Sequence, residues 1–139
     1  MIAKITNEQY AQKLTMLDNT ILKNSHYDLN QFLQMIKDDS YTIWAEIEGD
    51  LLNAYAVIYH NIDFDELFKI GVREDKQRCG LGTRLLKYIS SQSNKTLVLE
   101  VSSNNEKAIS FYKKFGFKQN GIRRNYYGQN EDGILMEFK

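Results

Sequence analysis

Gln77-Arg78-Cys79-Gly80-Leu81-Gly82-Thr83 is the stretch on which the reading of this chain turns. Before it runs Leu67-Phe68-Lys69-Ile70-Gly71-Val72, an apolar run that reads as a strand. After it, Leu81, Leu85, Leu86 and Ile89 recur three and four residues apart, the spacing of one helical face. Strand, glycine turn and helix start in that order make an anion site. The first N–H groups of a helix have no partner within it, and the helix dipole favours negative charge there. Gly80 and Gly82 let the backbone approach a phosphate with no β-carbon in the way. From residue 73 to 87, five cations (Arg73, Lys76, Arg78, Arg84, Lys87) stand against two anions (Glu74, Asp75), in a chain with 18 residues of each sign. A phosphate-bearing ligand is expected here; the plain alternative is a solvated glycine turn before an ordinary helix.

Two common phosphate loops do not fit. A P-loop needs Lys then Ser or Thr after its last glycine, and Gly82 is followed by Thr83-Arg84. The dinucleotide fingerprint needs a third glycine at 85, where Leu85 stands.

The 139 residues suffice for one domain with a sizeable core, and 42% apolar residues argue for a folded chain. Zero net charge argues against a general binder of nucleic acid or membrane surface. No uninterrupted apolar stretch is long enough to span a bilayer. The start, Met1-Ile2-Ala3-Lys4-Ile5-Thr6, lacks the basic-then-apolar form of a signal peptide, and a single cysteine fits a reducing compartment. A cytoplasmic protein is expected.

Further from the glycine loop, Thr6-x-x-Gln9 and Asp28-x-x-Gln31 read as capping boxes opening two helices. Tyr10, Leu14, Leu17 and Ile21 mark the first helical face; Leu29, Phe32, Leu33 and Ile36 mark the second. Residues 41–47 and 51–59 read as strands about a Glu48-Gly49-Asp50 turn. Thr96 to Val101 is a short strand, Asn104 or Asn105 caps a helix running to Phe115, and Gly116 ends it. Residues 117–122 and 134–138 read as two last strands. The order is two helices, a run of about four strands, helix–strand twice, and a final strand. That is an α/β or α+β domain over residues 1–139, with a mixed sheet and a parallel pair joined by the helix after the glycine loop.

Glu100 breaks the apolar pattern of its strand, facing away from Leu99 and Val101. A carboxylate midway along a central strand is costly unless paired or used, and burial would move it toward the range of a general base. An edge-strand glutamate in solvent, or one paired with a cation, fits the position equally. Tyr112 shares adjoining helical faces with Ala108, Ile109 and Phe115, so it is most simply a core aromatic whose hydroxyl wants a partner. Both residues point toward the central crevice where open sheets place ligands, one a candidate base and the other a candidate acid. Cys79 lies at the start of a helix, which favours a thiolate, and could carry an acetyl group; a bystander thiol is the simpler reading. His26 and His60 stand isolated.

Taken together, residues 67–137 resemble the GNAT superfamily of acetyl-CoA-dependent N-acetyltransferases. Gln77-Arg78-Cys79-Gly80-Leu81-Gly82 matches the superfamily's Q/R-x-x-G-x-G/A motif. Leu99-Glu100-Val101, Asn105, Ala108-Ile109 and Phe111 to Phe117 match the motif that follows. Within the superfamily, that strand, the Asn105-x-x-Ala108-Ile109-x-x-Tyr112 helix and Ile122-Arg123-Arg124-Asn125-Tyr126-Tyr127 are similar to the bacterial ribosomal-protein-alanine N-acetyltransferases. One stretch departs. Those enzymes usually carry Pro-Trp before the second helix, where this chain has Asn24-Ser25-His26-Tyr27.

The resemblance implies a mixed, mostly antiparallel sheet with a splayed parallel strand pair, flanked by about four helices. It implies that backbone groups of Ile70, Gly71 and Val72 pair with the pantetheine arm of acetyl-CoA. Gln77, Arg78, Cys79, Gly80, Leu81, Gly82 and Thr83 would cradle the pyrophosphate, and Asn105 would bind from the other side. Glu100 would be the general base, Tyr112 the general acid, and an N–H near Val72 an oxyanion donor; no metal is needed. Arg123, Tyr126 and Tyr127 would line the acceptor channel, although with Arg124 they could also stack RNA bases or simply pack the last hairpin. The implied acceptor is a protein N-terminus, a ribosomal protein above all. A small amine such as a polyamine or drug, and a coenzyme-binding module without turnover, are the alternatives. An α-amine, with a pKa of about 7.7–8.0, is about one-tenth neutral at pH 7, whereas lysine near 10.4 leaves only a few molecules in about ten thousand neutral. A single weak carboxylate suits the first.

Overall fold

The computed structural model describes residues 1–21 and 27–139; Asn24, Ser25 and His26 lie outside the described residues. Strand β1 (Ile2–Lys4) precedes helices α1 (Tyr10–Ile21) and α2 (Leu29–Lys37). Strands β2 (Tyr41–Glu48), β3 (Leu51–His60) and β4 (Phe64–Val72) follow, then α3 (Leu81–Ser91), β5 (Thr96–Ser102), α4 (Glu106–Phe115), β6 (Lys118–Gly128) and β7 (Glu131–Phe138). The run after α2 thus holds three strands, not about four. The seventh strand is β1, three residues pairing with the edge of β2 from Ile2↔Glu46 to Lys4↔Trp44, too short to show a period.

The caps show which local signals held. Asp28 and Gln31 form the expected capping box of α2. Asn105 caps α4 by accepting from Ala108 N–H at 3.2 Å, and Gly116 closes it. Thr6 does not cap α1. Asn7 holds that start instead, its carbonyl taking Tyr10 N–H and its side chain Gln9 N–H.

The sheet order is β1-β2-β3-β4-β5-β7-β6, antiparallel except for β4 beside β5. One face packs α3 and α4 on Leu67, Leu97, Leu99, Val101 and Met136; the other packs α1 and α2 on Ile43, Ala45, Tyr55 and Val57.

Two features of β4 position the site. Its pairing with β3 jumps from Val57↔Lys69 to Ile58↔Leu67, so Phe68 is an inserted bulge residue. Its parallel pairing with β5 runs only from Phe64↔Thr96 to Glu66↔Val98. Beyond Glu66 the two strands part, and the β5-facing edge of β4 carries no ladder.

Candidate active site

The gap between β4 and β5 opens into a cavity of about 440 Å³. Ile70, Gly71 and Val72 form one wall, the 76–83 loop with the start of α3 the mouth, and Asn105, Ala108, Phe111 and Tyr112 the facing wall from α4. Of the eleven residues expected to contact the coenzyme, ten line this cavity and Cys79 does not; its thiol is exposed and free.

The mouth is built for close approach. Gly80, with φ +79°, precedes α3 in the left-handed region that a β-carbon disfavours. A β-carbon on Gly82 would come within 3.1 Å of the Phe111 ring, so α3 and α4 meet across bare backbone. The local cations divide. Arg73 pairs with Asp75, and Arg84 pairs with Glu46. Lys76, Arg78 and, from α4, Lys107 line the cavity. Gln77 acts as a strut: its amide donates to the Val72 carbonyl at 3.1 Å and its oxygen takes the Lys107 ammonium at 3.3 Å. Lys107 was not named from sequence; Lys76 was counted only among the local cations, Phe111 only within the motif, and Ile21 only on the first helical face. Lys107 and Phe111, four apart and flanking Ala108, could have been found from the helical spacing.

Tyr112 sits against Phe111 and Phe117. Burial pushes its phenol up to about 12, with no charged or hydrogen-bonding group contributing among the described residues.

Glu100 does not line the cavity. It lies on the opposite face of β5 from Leu99 and Val101, as its alternation requires. Its Oε2 is buried without a hydrogen bond among the described residues, with Arg123 Nε at 3.7 Å. Glu66, on the same face, is raised above the usual carboxylate range by burial first and by the charge of Glu100 second. Arg123 stacks over the Tyr126 ring at 4.7 Å, and Tyr126 meets Tyr127 edge-on at 5.1 Å. Burial, then the charge of Glu100, raises the Tyr127 phenol. The three residues expected at the acceptor channel therefore gather around Glu100. Tyr112 and Glu100 approach the strand gap from opposite faces of the sheet. His60 is not isolated: it bridges Thr42 at 2.7 Å and Asp65 at 2.9 Å, and it does not line the cavity.

Among the described residues no group of His, Cys, Asp and Glu is placed to hold a metal, and no helix is long and apolar enough to cross a membrane.

Comparison with known proteins agrees with this geometry. The Escherichia coli K12 [ribosomal protein bS18]-alanine N-acetyltransferase is 41% identical over 90 residues, 60% of this chain; the match spans 61% of that relative's length. An N-alpha-acetyltransferase from Sulfurisphaera tokodaii is 39% identical over 72 residues, 48% of this chain and 43% of that protein. The crystal structure of the ribosomal-protein-S18-alanine N-acetyltransferase from Escherichia coli superposes with a TM-score of 0.84 at 27% identity, covering 99% of this chain and 93% of that one. The family model of the acetyltransferase (GNAT) domain matches residues 38–119, more than half of the sequence. The chain belongs to the GNAT acetyltransferase family, which takes its acetyl group from acetyl-CoA.

Proposed function

We propose that the protein transfers the acetyl group of acetyl-CoA to the α-amine of a protein N-terminus, with the alanine-led ribosomal protein bS18 as acceptor. The observation that carries this reading is the gap between β4 and β5, with a cationic glycine turn at its mouth and Tyr112 on its wall. The acceptor follows from the relatives' names and from the better match of an α-amine to one weak carboxylate. The 139 residues act as one domain, in the cytoplasm.

The residues present fit the donor. Backbone N–H groups of the 78–83 turn, with Lys76 and Arg78, suit a pyrophosphate. The unladdered edge of Ile70 to Val72 suits an amide-bearing arm added as a short strand. Asn105, whose oxygen caps α4, has no partner for its side-chain N–H₂ among the described residues, which suits the same arm. When bound, acetyl-CoA supplies the thioester carbonyl that an amine attacks.

Glu100 takes the proton of the acceptor's ammonium at its buried Oε2, directly or through water. Arg123 steadies that carboxylate from its outer side, and Tyr126 and Tyr127 wall the approach. Tyr112 keeps its proton up to about pH 12 and would give it to the leaving thiolate. Because base and acid stand on opposite faces, an amine would reach Glu100 from the α1–α2 side, with Tyr112 on the α3–α4 side.

The test is Glu100→Gln, which keeps shape and removes the base. Acetyl-CoA binding by calorimetry should match the wild type while transfer falls about 10²-fold, the lower range for general-base removal. Transfer at the wild-type rate would sink the assignment of Glu100.

A further inference from the structure

Leu67 and Lys69 stand two apart on β4, so a regular strand would put them on one face. They lie on opposite faces. Leu67 packs into the core beneath α3 and α4, while Lys69, only 9% exposed, reaches Asp18 of α1. The Phe68 bulge makes this possible, and bulges bend and twist the strand that carries them. The last β4–β5 pair, Glu66↔Val98, comes two residues before Phe68.

Asp18 is fully buried and joins four elements. Its carboxylate accepts from the Tyr55 hydroxyl on β3, from Lys69 Nζ at 2.8 Å, and from the backbone N–H of Tyr27, just before α2, at 2.6 Å. The Lys69 ammonium also lies 3.6 Å from the centroid of the Tyr27 ring. Burial moves this ammonium below the usual lysine range, with Asp18 working against the shift. The network touches the cavity wall directly. The Tyr55 ring lies against the bare α-carbon of Gly71, where a β-carbon would approach it to 2.8 Å, and Ile21 packs beside it.

A pair this deep is a poor device for stability. Removing each ion from water is costly, and apolar replacements are often neutral or stabilising. It is a good device for register. On the other face of β4, Lys69 would meet Leu67, Leu85 and Leu99, with nothing to pair its charge. An apolar residue at 69 would be welcome on either face, and the bulge could slide.

We infer that Asp18 and Lys69 are positioning residues that lock the bulge at Phe68, hold open the gap between β4 and β5, and tie that gap to the segment entering α2 on the acceptor side. The role rests on reading the gap as the acetyl-CoA cleft.

The test is the neutral double variant Asp18→Asn/Lys69→Met in the full chain. Two readouts are taken: the acetyl-CoA Kd by calorimetry and amide hydrogen exchange along residues 67–72. The expected result is a folded protein melting near the wild-type temperature, with Kd raised tenfold or more and exchange on β4 accelerated while β2 and β3 stay protected. A merely structural pair would lower the melting temperature and leave both readouts of the folded protein unchanged; that result, or Kd within twofold with β4 exchange unaltered, overturns the lock. Should the double variant fail to fold, Asp18→Asn alone is judged by the same two readouts. Failure of the wild type itself to bind acetyl-CoA would overturn the cleft's assignment instead, and β4 exchange would still decide the lock.

Discussion

The Glu100 carboxylate lies directly against the bare α-carbon of Gly133 on β7, two residues before its cross-strand partner Leu135, so that a β-carbon at 133 would overlap Oε2. Gly133 is thus the floor on which Glu100 rests. Its backbone does not lie in the positive-φ region, so alanine fits the chain itself. Gly133→Ala should displace the end of a flexible side chain at a stability cost of no more than about 1 kcal/mol. Transfer should fall at least tenfold with acetyl-CoA binding intact. Steady-state kinetics beside a thermal melt checks both halves.

Tyr112→Phe removes a hydroxyl whose shift no neighbouring group among the described residues contributes to. Little folding energy should be lost, within about 1 kcal/mol. The transfer rate at saturating substrates should drop roughly 10²-fold, the scale of a removed general acid. Single-turnover kinetics separates this from a change in product release.

Stability should decline in alkali. Burial raises Tyr112 and Tyr27 to about 12, and burial with the Asp18 contact raises Tyr55 further. The fold favours the neutral phenols, while unfolded tyrosines ionise near about 10. Above that pH the unfolded chain holds fewer protons, so stability is fully present below about 10 and is lost as pH rises toward 12. Tyr112 should account for on the order of 2 kcal/mol of the loss. Urea unfolding at stepped pH should show the decline, and Tyr112→Phe should flatten it.

Lys76 and Arg78 face the cavity mouth, whereas Arg73 and Arg84 are occupied by Asp75 and Glu46. Lys76→Ala with Arg78→Ala should raise the KM for acetyl-CoA about tenfold, leave kcat within about twofold, and weaken the salt dependence of binding. Arg73→Ala should do little. Titration of acetyl-CoA at two ionic strengths checks the contrast.

What could be read from sequence was local chemistry. The glycine turn, the Asp28 box and the Asn105 cap each involve residues within a few positions of one another, and all three appear as expected. What could not be read depends on partners far along the chain. The run from Leu67 to Val72 looks regular, and the Phe68 bulge exists only in its pairing with β3. Strand β6 runs on to Gly128 as an exposed edge with no alternation to mark it. Asp18 could have been noticed: it stands four residues after Leu14, an acid within an apolar stripe, yet its partners Lys69 and Tyr55 are 51 and 37 residues away. The separation of Glu100 from the cavity of Tyr112 likewise follows from which face of β5 each approaches, a property of the assembled sheet.

The central claim is acetyl transfer to an α-amine. Its most direct test is to incubate the protein with acetyl-CoA and an alanine-led peptide containing an internal lysine, then locate the added acetyl group by fragment mass spectrometry, with small amines assayed in parallel. The account predicts one acetyl group on the peptide α-amine and none on a peptide whose α-amine is blocked. Acetylation confined to the lysine side chain, or turnover with small amines alone, would contradict it.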